Sequence, residues 1–149
     1  MRTFLISPLV SGNVCTHIGR ICVYWSNLEL VVERLIWHLD GKTPKEGRPI
    51  TAKENIDPRL KRLKKLSKQV MTPEDALKIT AISSDIKAVK RARNWAVHGL
   101  YGVDATGELH AIYYRDNPKG NAKPANEDRL RKIRKDIFAL QKRLEKFLP

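Results

Sequence analysis

Apolar residues recur at Val14, Ile18, Ile21, Trp25, Leu28, Val32, Leu35 and Leu39, with gaps of 4, 3, 4, 3, 4, 3 and 4. This spacing holds all of them on one helical stripe. It predicts a single helix of roughly 40 Å, at about 1.5 Å per residue. Ser11 or Asn13 supplies its N-cap and Gly41 its end, and residues 1–12 read as an irregular lead. A second stripe, Leu60, Leu63, Leu66 and Val70, predicts a short helix with Pro58 in its first turn after Asp57. Thr72-Pro73-Glu74-Asp75 places a cap, a proline and two acids where a third helix should start. Its seam runs Ile79, Ile82, Ile86, Val89, Arg93, Ala96, Leu100, and Gly99 and Gly102 mark its end. The last stripe is Leu130, Ile133, Ile137, Leu140, Leu144 and Phe147, with Asn126 as cap. Trp25, Trp37 and Trp95 are expected as core or interface anchors.

The period changes over residues 100–115. Asp104-Ala105-Thr106-Gly107 is a turn with Gly107 suited to a left-handed position, and Leu109 to Tyr114 is β-prone. Residues 41–57 and 116–126, rich in Gly, Pro and charge, read as loops. The predicted fold is therefore all-α: an antiparallel four-helix bundle with a small β-hairpin inserted between the third and fourth helices, in one domain over 1–149.

Composition narrows the class. The chain has 149 residues, a net charge of +13, 42% hydrophobic residues and two cysteines. No apolar run approaches the roughly 20 residues of a membrane span, and nothing resembles a signal peptide. Two cysteines do not make a disulfide scaffold, and Cys15 and Cys22 are expected as buried free thiols. A soluble, cytoplasmic domain with an anionic partner is the expectation. The charge is uneven: residues 42–68 hold ten basic and three acidic residues, and 115–146 hold eleven and five, while 1–41 is neutral. These segments, chiefly Arg59 to Lys68 and Arg129 to Lys135, are candidates to hold a phosphate backbone. Solvated helix faces are the alternative.

Chemistry is concentrated in Arg91-Ala92-Arg93-Asn94-Trp95-Ala96-Val97-His98-Gly99. Arg93 stands in the seam where the pattern asks for an aliphatic residue, and a buried arginine is costly unless paired. Asn94 and His98 are i, i+4 neighbours on the flank beside it, with Arg91 on that flank too. Spacing alone also allows a register-fixing arginine with a histidine at the helix C-terminus. No phosphate-cradling glycine loop, dinucleotide fingerprint, metal-ligand set or Ser-His-Asp arrangement is supported by spacing.

Arg93-Asn94-x-x-x-His98 resembles the R-x(4–6)-H signature of the HEPN superfamily, in which the residue after the arginine is often Asn, Asp or His. The resemblance implies a metal-independent endoribonuclease without cofactors. Its composite site would lie between two protomers of a homodimer, each contributing Arg93 and His98, with Asn94 assisting. RNA brings its own 2′-OH nucleophile, and the products would be a 2′,3′-cyclic phosphate and a 5′-hydroxyl. Many members are toxins or antiphage effectors, which would make an antitoxin or defence-complex component a partner. Others are inactive RNA-binding or protein-interaction bundles, and that is the alternative here. Lys90, Arg91, Arg59, Arg62, Lys65, Arg131 and Arg134 are the candidate RNA contacts. Glu29 shares a helical column with Cys15, Cys22 and Ile36, so it is expected to be partly buried and to orient Arg93. Glu33 shares its column with Gly19, Ser26 and Asp40 and is expected to be solvated.

Overall fold

The computed structural model describes residues 5–6, 10–114 and 121–149. It is mainly helical with a small antiparallel sheet. In chain order the elements are β1 (Leu5–Ile6), α1 (Gly12–Leu39), α2 (Pro44–Thr51), α3 (Ile56–Val70), α4 (Pro73–His98), β2 (Leu100–Val103), β3 (Leu109–Tyr113), β4 (Asn121–Pro124) and α5 (Glu127–Glu145). The expected lead and second loop fall partly on residues 1–4, 7–9 and 116–120, outside the described residues.

The helix starts are set by short polar side chains. Ser11 Oγ accepts from the Val14 amide at 3.3 Å, Thr72 Oγ1 from that of Asp75 at 3.2 Å, and Asn126 Oδ1 from that of Arg129 at 3.0 Å. Each satisfies an amide that has no partner within its helix. The cap of α3 is Asn55, one residue before the helix. Gly41 (φ 63°) and Gly107 (φ 82°) take the left-handed conformation at the end of α1 and in the β2–β3 turn.

The chain divides into two compact units. One comprises residues 1–24 and 89–136, the other 25–88 and 137–149. The first holds the sheet, whose strand order is β1-β2-β3-β4 with every pair antiparallel. Leu100 pairs with Ile112 and Val103 with Leu109 across the central hairpin. Its buried apolar side chains are Val14, Ile21, Trp95, Ala96, Ala111, Ile112, Ala125, Leu130 and Ile133. The expected hairpin is therefore the centre of a larger sheet. β4 takes up residues 121–124 of the predicted second loop, because Ala122 and Lys123 pair with Ile112 and Ala111.

The second unit buries Leu28, Val32, Leu35 and Ile36 of α1, Leu60 and Leu63 of α3, Ile79, Ile82 and Ile86 of α4, and Ile137, Leu140 and Leu144 of α5. It also contains the fifth helix, α2, where a loop was expected. Thr43 and Glu46 form a reciprocal capping box around Pro44 at the first turn. Gly47 lies against Trp37, where a Cβ would stand 2.2 Å from Trp37 Cδ1. The Trp37 indole N–H donates to Thr51 Oγ1 at 3.2 Å. The glycine and Pro49 that resemble loop residues are here parts of a helix held by packing on an indole, a tertiary effect that overrides propensity.

Glu33, expected to be solvated, is 4% exposed. Its carboxylate lies 2.8 Å from Arg59 Nη2 and 3.4 Å from Arg48 Nη1. Arg59 is itself buried at 7%, and its Nε and Nη2 donate to the Thr51 carbonyl at 3.2 and 3.0 Å. One guanidinium thus joins the end of α2 to an acid of α1.

Candidate functional site

In the first unit the C-terminal turns of α4 are pinned to the sheet. The Trp95 indole N–H donates to the Ala111 carbonyl of β3 at 2.8 Å. The Arg129 guanidinium covers the Trp95 ring, 4.9 Å from its centroid. Gly99 allows the close approach: a Cβ there would stand 2.6 Å from the Trp95 carbonyl oxygen and 3.1 Å from Ala111 Cβ. The Tyr101 hydroxyl donates to the Ala96 carbonyl, one of the last of the helix. Burial pushes the Tyr101 hydroxyl up to about 12, with nearby Cys15 adding to the shift. Tyr101 is thus a clamp on the helix end. The other two tyrosines of the hairpin, Tyr113 and Tyr114, are half-buried and exposed.

On this fixed helix end Arg93, Asn94 and His98 converge. Arg93 Nη1 donates to Asn94 Oδ1 at 3.0 Å and to His98 Nε2 at 2.9 Å. A guanidinium can only donate. Nε2 of His98 is therefore the acceptor, and the ring in this arrangement is neutral with its proton on Nδ1. The same reasoning places the Asn94 oxygen toward Arg93 and leaves its NH2 pointing away. Arg93 and Asn94 are half-buried and His98 is exposed, so the imidazole meets solvent while its arginine partner is partly withdrawn.

Comparison with family models, curated proteins and solved structures gives no match to this chain.

The other candidate residues divide by exposure. In the first unit Arg91 and Arg131 are exposed, and Lys90 and Arg134 are half-buried. Arg131 lies 3.5 Å from Asp128. In the second unit Lys65 is exposed, and Arg62 pairs with Glu54 at 2.7 Å. Arg59 is not available to a phosphate chain, because its guanidinium is buried on Glu33 and Thr51. Glu29 is half-buried on α1, in the second unit. Neither cysteine is in a disulfide, but Cys15 is exposed and Cys22 half-buried rather than fully buried.

One grouping escaped the sequence reading. Asp104, Glu108 and His110 bring two carboxylates and an imidazole together at the β2–β3 turn. The signal was available: Glu108 and His110 are two residues apart at the start of a β-prone run, and the turn through Gly107 returns the chain beside Asp104.

Proposed function

We propose that the chain is an endoribonuclease of HEPN type that cleaves RNA through its own 2′-OH. The observation that carries this reading is the Arg93–His98 contact, with Asn94 on the same guanidinium nitrogen. The site acts as a homodimer, in which Arg93 and His98 of two protomers face one phosphate. An antitoxin or a defence-complex component restrains it in the cytoplasm. The bundle architecture of that family belongs to the same reading. Among the described residues no helix is long and apolar enough to cross a membrane.

The chemistry follows from the donors and acceptors. A phosphate entering the site competes for the N–H groups of Arg93, whose planar fork matches two phosphate oxygens. As Nη1 turns to phosphate, Nε2 of His98 is released as a base. It takes the proton of the 2′-OH, the 2′-oxygen bonds to phosphorus, and the bond from phosphorus to the 5′-oxygen breaks. The proton returns to the leaving 5′-oxygen from an imidazolium. Arg93 stabilises the charge that grows on the non-bridging oxygens. The Asn94 amide donates to the phosphate or holds the arginine in register. Arg91, Lys90, Arg131 and Arg134 attract the RNA backbone on the first unit, and Lys65 does so on the second.

The reading is tested on the substrate side. A single 2′-deoxy substitution at a mapped cleavage position removes the nucleophile and should abolish cleavage there, while neighbouring sites are still cut. Undiminished cleavage at the deoxy position would rule this mechanism out.

A further inference from the structure

We propose that Asp104, Glu108 and His110 form a binding site for one first-row divalent metal ion at the tip of the β2–β3 hairpin. His110 Nε2 lies 3.0 Å from Asp104 Oδ2 and 3.4 Å from Glu108 Oε2. All three donor atoms lie within 4.8 Å of one another. Ligands about 2.0–2.2 Å from a tetrahedral zinc ion stand roughly 3.3–3.6 Å apart, so the two distances from His110 Nε2 are already close to that spacing. One imidazole nitrogen with two carboxylate oxygens suits zinc, cobalt, nickel or iron, in preference to a thiol-seeking ion or an all-oxygen calcium site.

The hairpin holds the donors in place before any ion arrives. The Asp104 amide donates to the Glu108 carbonyl at 3.0 Å, which sets the two residues side by side. Asp104 Oδ1 accepts from the Thr106 amide, the Thr106 hydroxyl and the Glu108 amide at 2.9, 2.6 and 3.1 Å. Its other oxygen, Oδ2, faces the imidazole. His110 is 3% exposed, so its ring has little freedom to turn. Glu108 is exposed, which leaves the outer side of the cluster open to water as a further ligand.

Charge is the independent observation. The chain has 29 basic and 16 acidic residues. Yet among the described residues neither Asp104 nor Glu108 pairs with a lysine or arginine; both converge on one ring nitrogen. A single N–H serves one of these oxygens at a time. A divalent cation at the same point engages all three donors and balances both carboxylates. The ion would lock the hairpin that follows α4, and it takes no part in the RNA chemistry proposed above.

Cobalt(II) is the probe. Untagged protein, stripped with chelator and dialysed, is titrated with Co2+ and followed by calorimetry and visible absorption. Wild type should bind one ion per chain saturably, and excess Zn2+ should displace it. Glu108→Gln removes a ligand from an exposed position and should weaken binding by about tenfold or more with an unchanged circular dichroism spectrum. His110→Ala, where it folds, should abolish the signal. Absence of saturable one-to-one binding would overturn the proposal. So would a Glu108→Gln variant that binds as tightly as wild type, since the ion would then sit elsewhere.

Discussion

Arg93 and His98, five residues apart on one helix, meet at 2.9 Å, and the arginine must be the donor. The contact sets the imidazole tautomer and places a permanent cation beside an exposed ring. It also makes the two residues inseparable in function. Arg93→Lys keeps the charge but loses the fork that reaches both His98 and a phosphate. Cleavage by Arg93→Lys should fall by roughly a hundredfold or more, the scale of losing one preorganised oxyanion donor. Single-turnover assays at saturating RNA would show it as a loss in kcat.

Arg59 and Arg131 should separate into two kinds of basic residue. Removing one partner of a buried ion pair costs about 3–5 kcal/mol. Glu33→Gln and Arg59→Ala are therefore expected to destabilise on that scale in urea unfolding. Arg131→Ala should leave stability nearly unchanged and lower the salt slope of RNA binding by about one. A salt slope that responds to Arg59→Ala while stability does not would contradict the buried pairing.

How far the sequence reached follows from these same residues. The stripes from Val14 to Leu39 and from Leu130 to Leu144 were legible because a helical period over many turns admits one reading. The caps Thr72 and Asn126, and Gly107 at the turn, were equally local. Glu33 was misread because its column on α1 is polar, and its ion-pair partners are Arg59 of α3 and Arg48 of α2. That helix was hidden behind Gly47 and Pro49. Its Thr43-Pro44-x-Glu46 start nevertheless matches the signature that located α4 at Thr72. Arg93 could be located by its break in an apolar seam. The direction of its hydrogen bonds to Asn94 and His98 depends on rotamers that no spacing encodes.

Gly47→Ala tests whether α2 is built on Trp37. The added methyl would stand 2.2 Å from the indole, so the helix must shift or the ring must move. Overpacking of this kind costs about 1–3 kcal/mol. Thermal unfolding should show the loss, and the protection of the Trp37 indole N–H against exchange should fall with it.

Acid should loosen the β2–β3 turn. The side-chain hydrogen bond from Thr106, with help from the backbone amides of Thr106 and Glu108 and from His110, holds Asp104 at about 2. A carboxyl depressed by folding contributes stability above its unfolded value, near 3.9, and loses it as pH falls toward 2. Amide exchange at Thr106 and Glu108 should accelerate across that window, and Asp104→Asn should flatten the dependence. At the alkaline end the sign reverses. Tyr101 is raised to about 12, so its contribution is complete below about 10 and is lost as pH rises through 12. Phenolate absorbance of wild type against Tyr101→Phe would reveal that late titration.

The most direct test of the account is a comparison of wild type and His98→Ala on a mixed RNA pool in the presence of EDTA, with the fragment ends mapped and the fold of both proteins checked by circular dichroism. Wild type should yield 2′,3′-cyclic phosphates and 5′-hydroxyls, and the folded variant should yield neither. A His98→Ala protein that cuts as fast as its parent, or wild-type fragments with other termini, would contradict the assignment of this site.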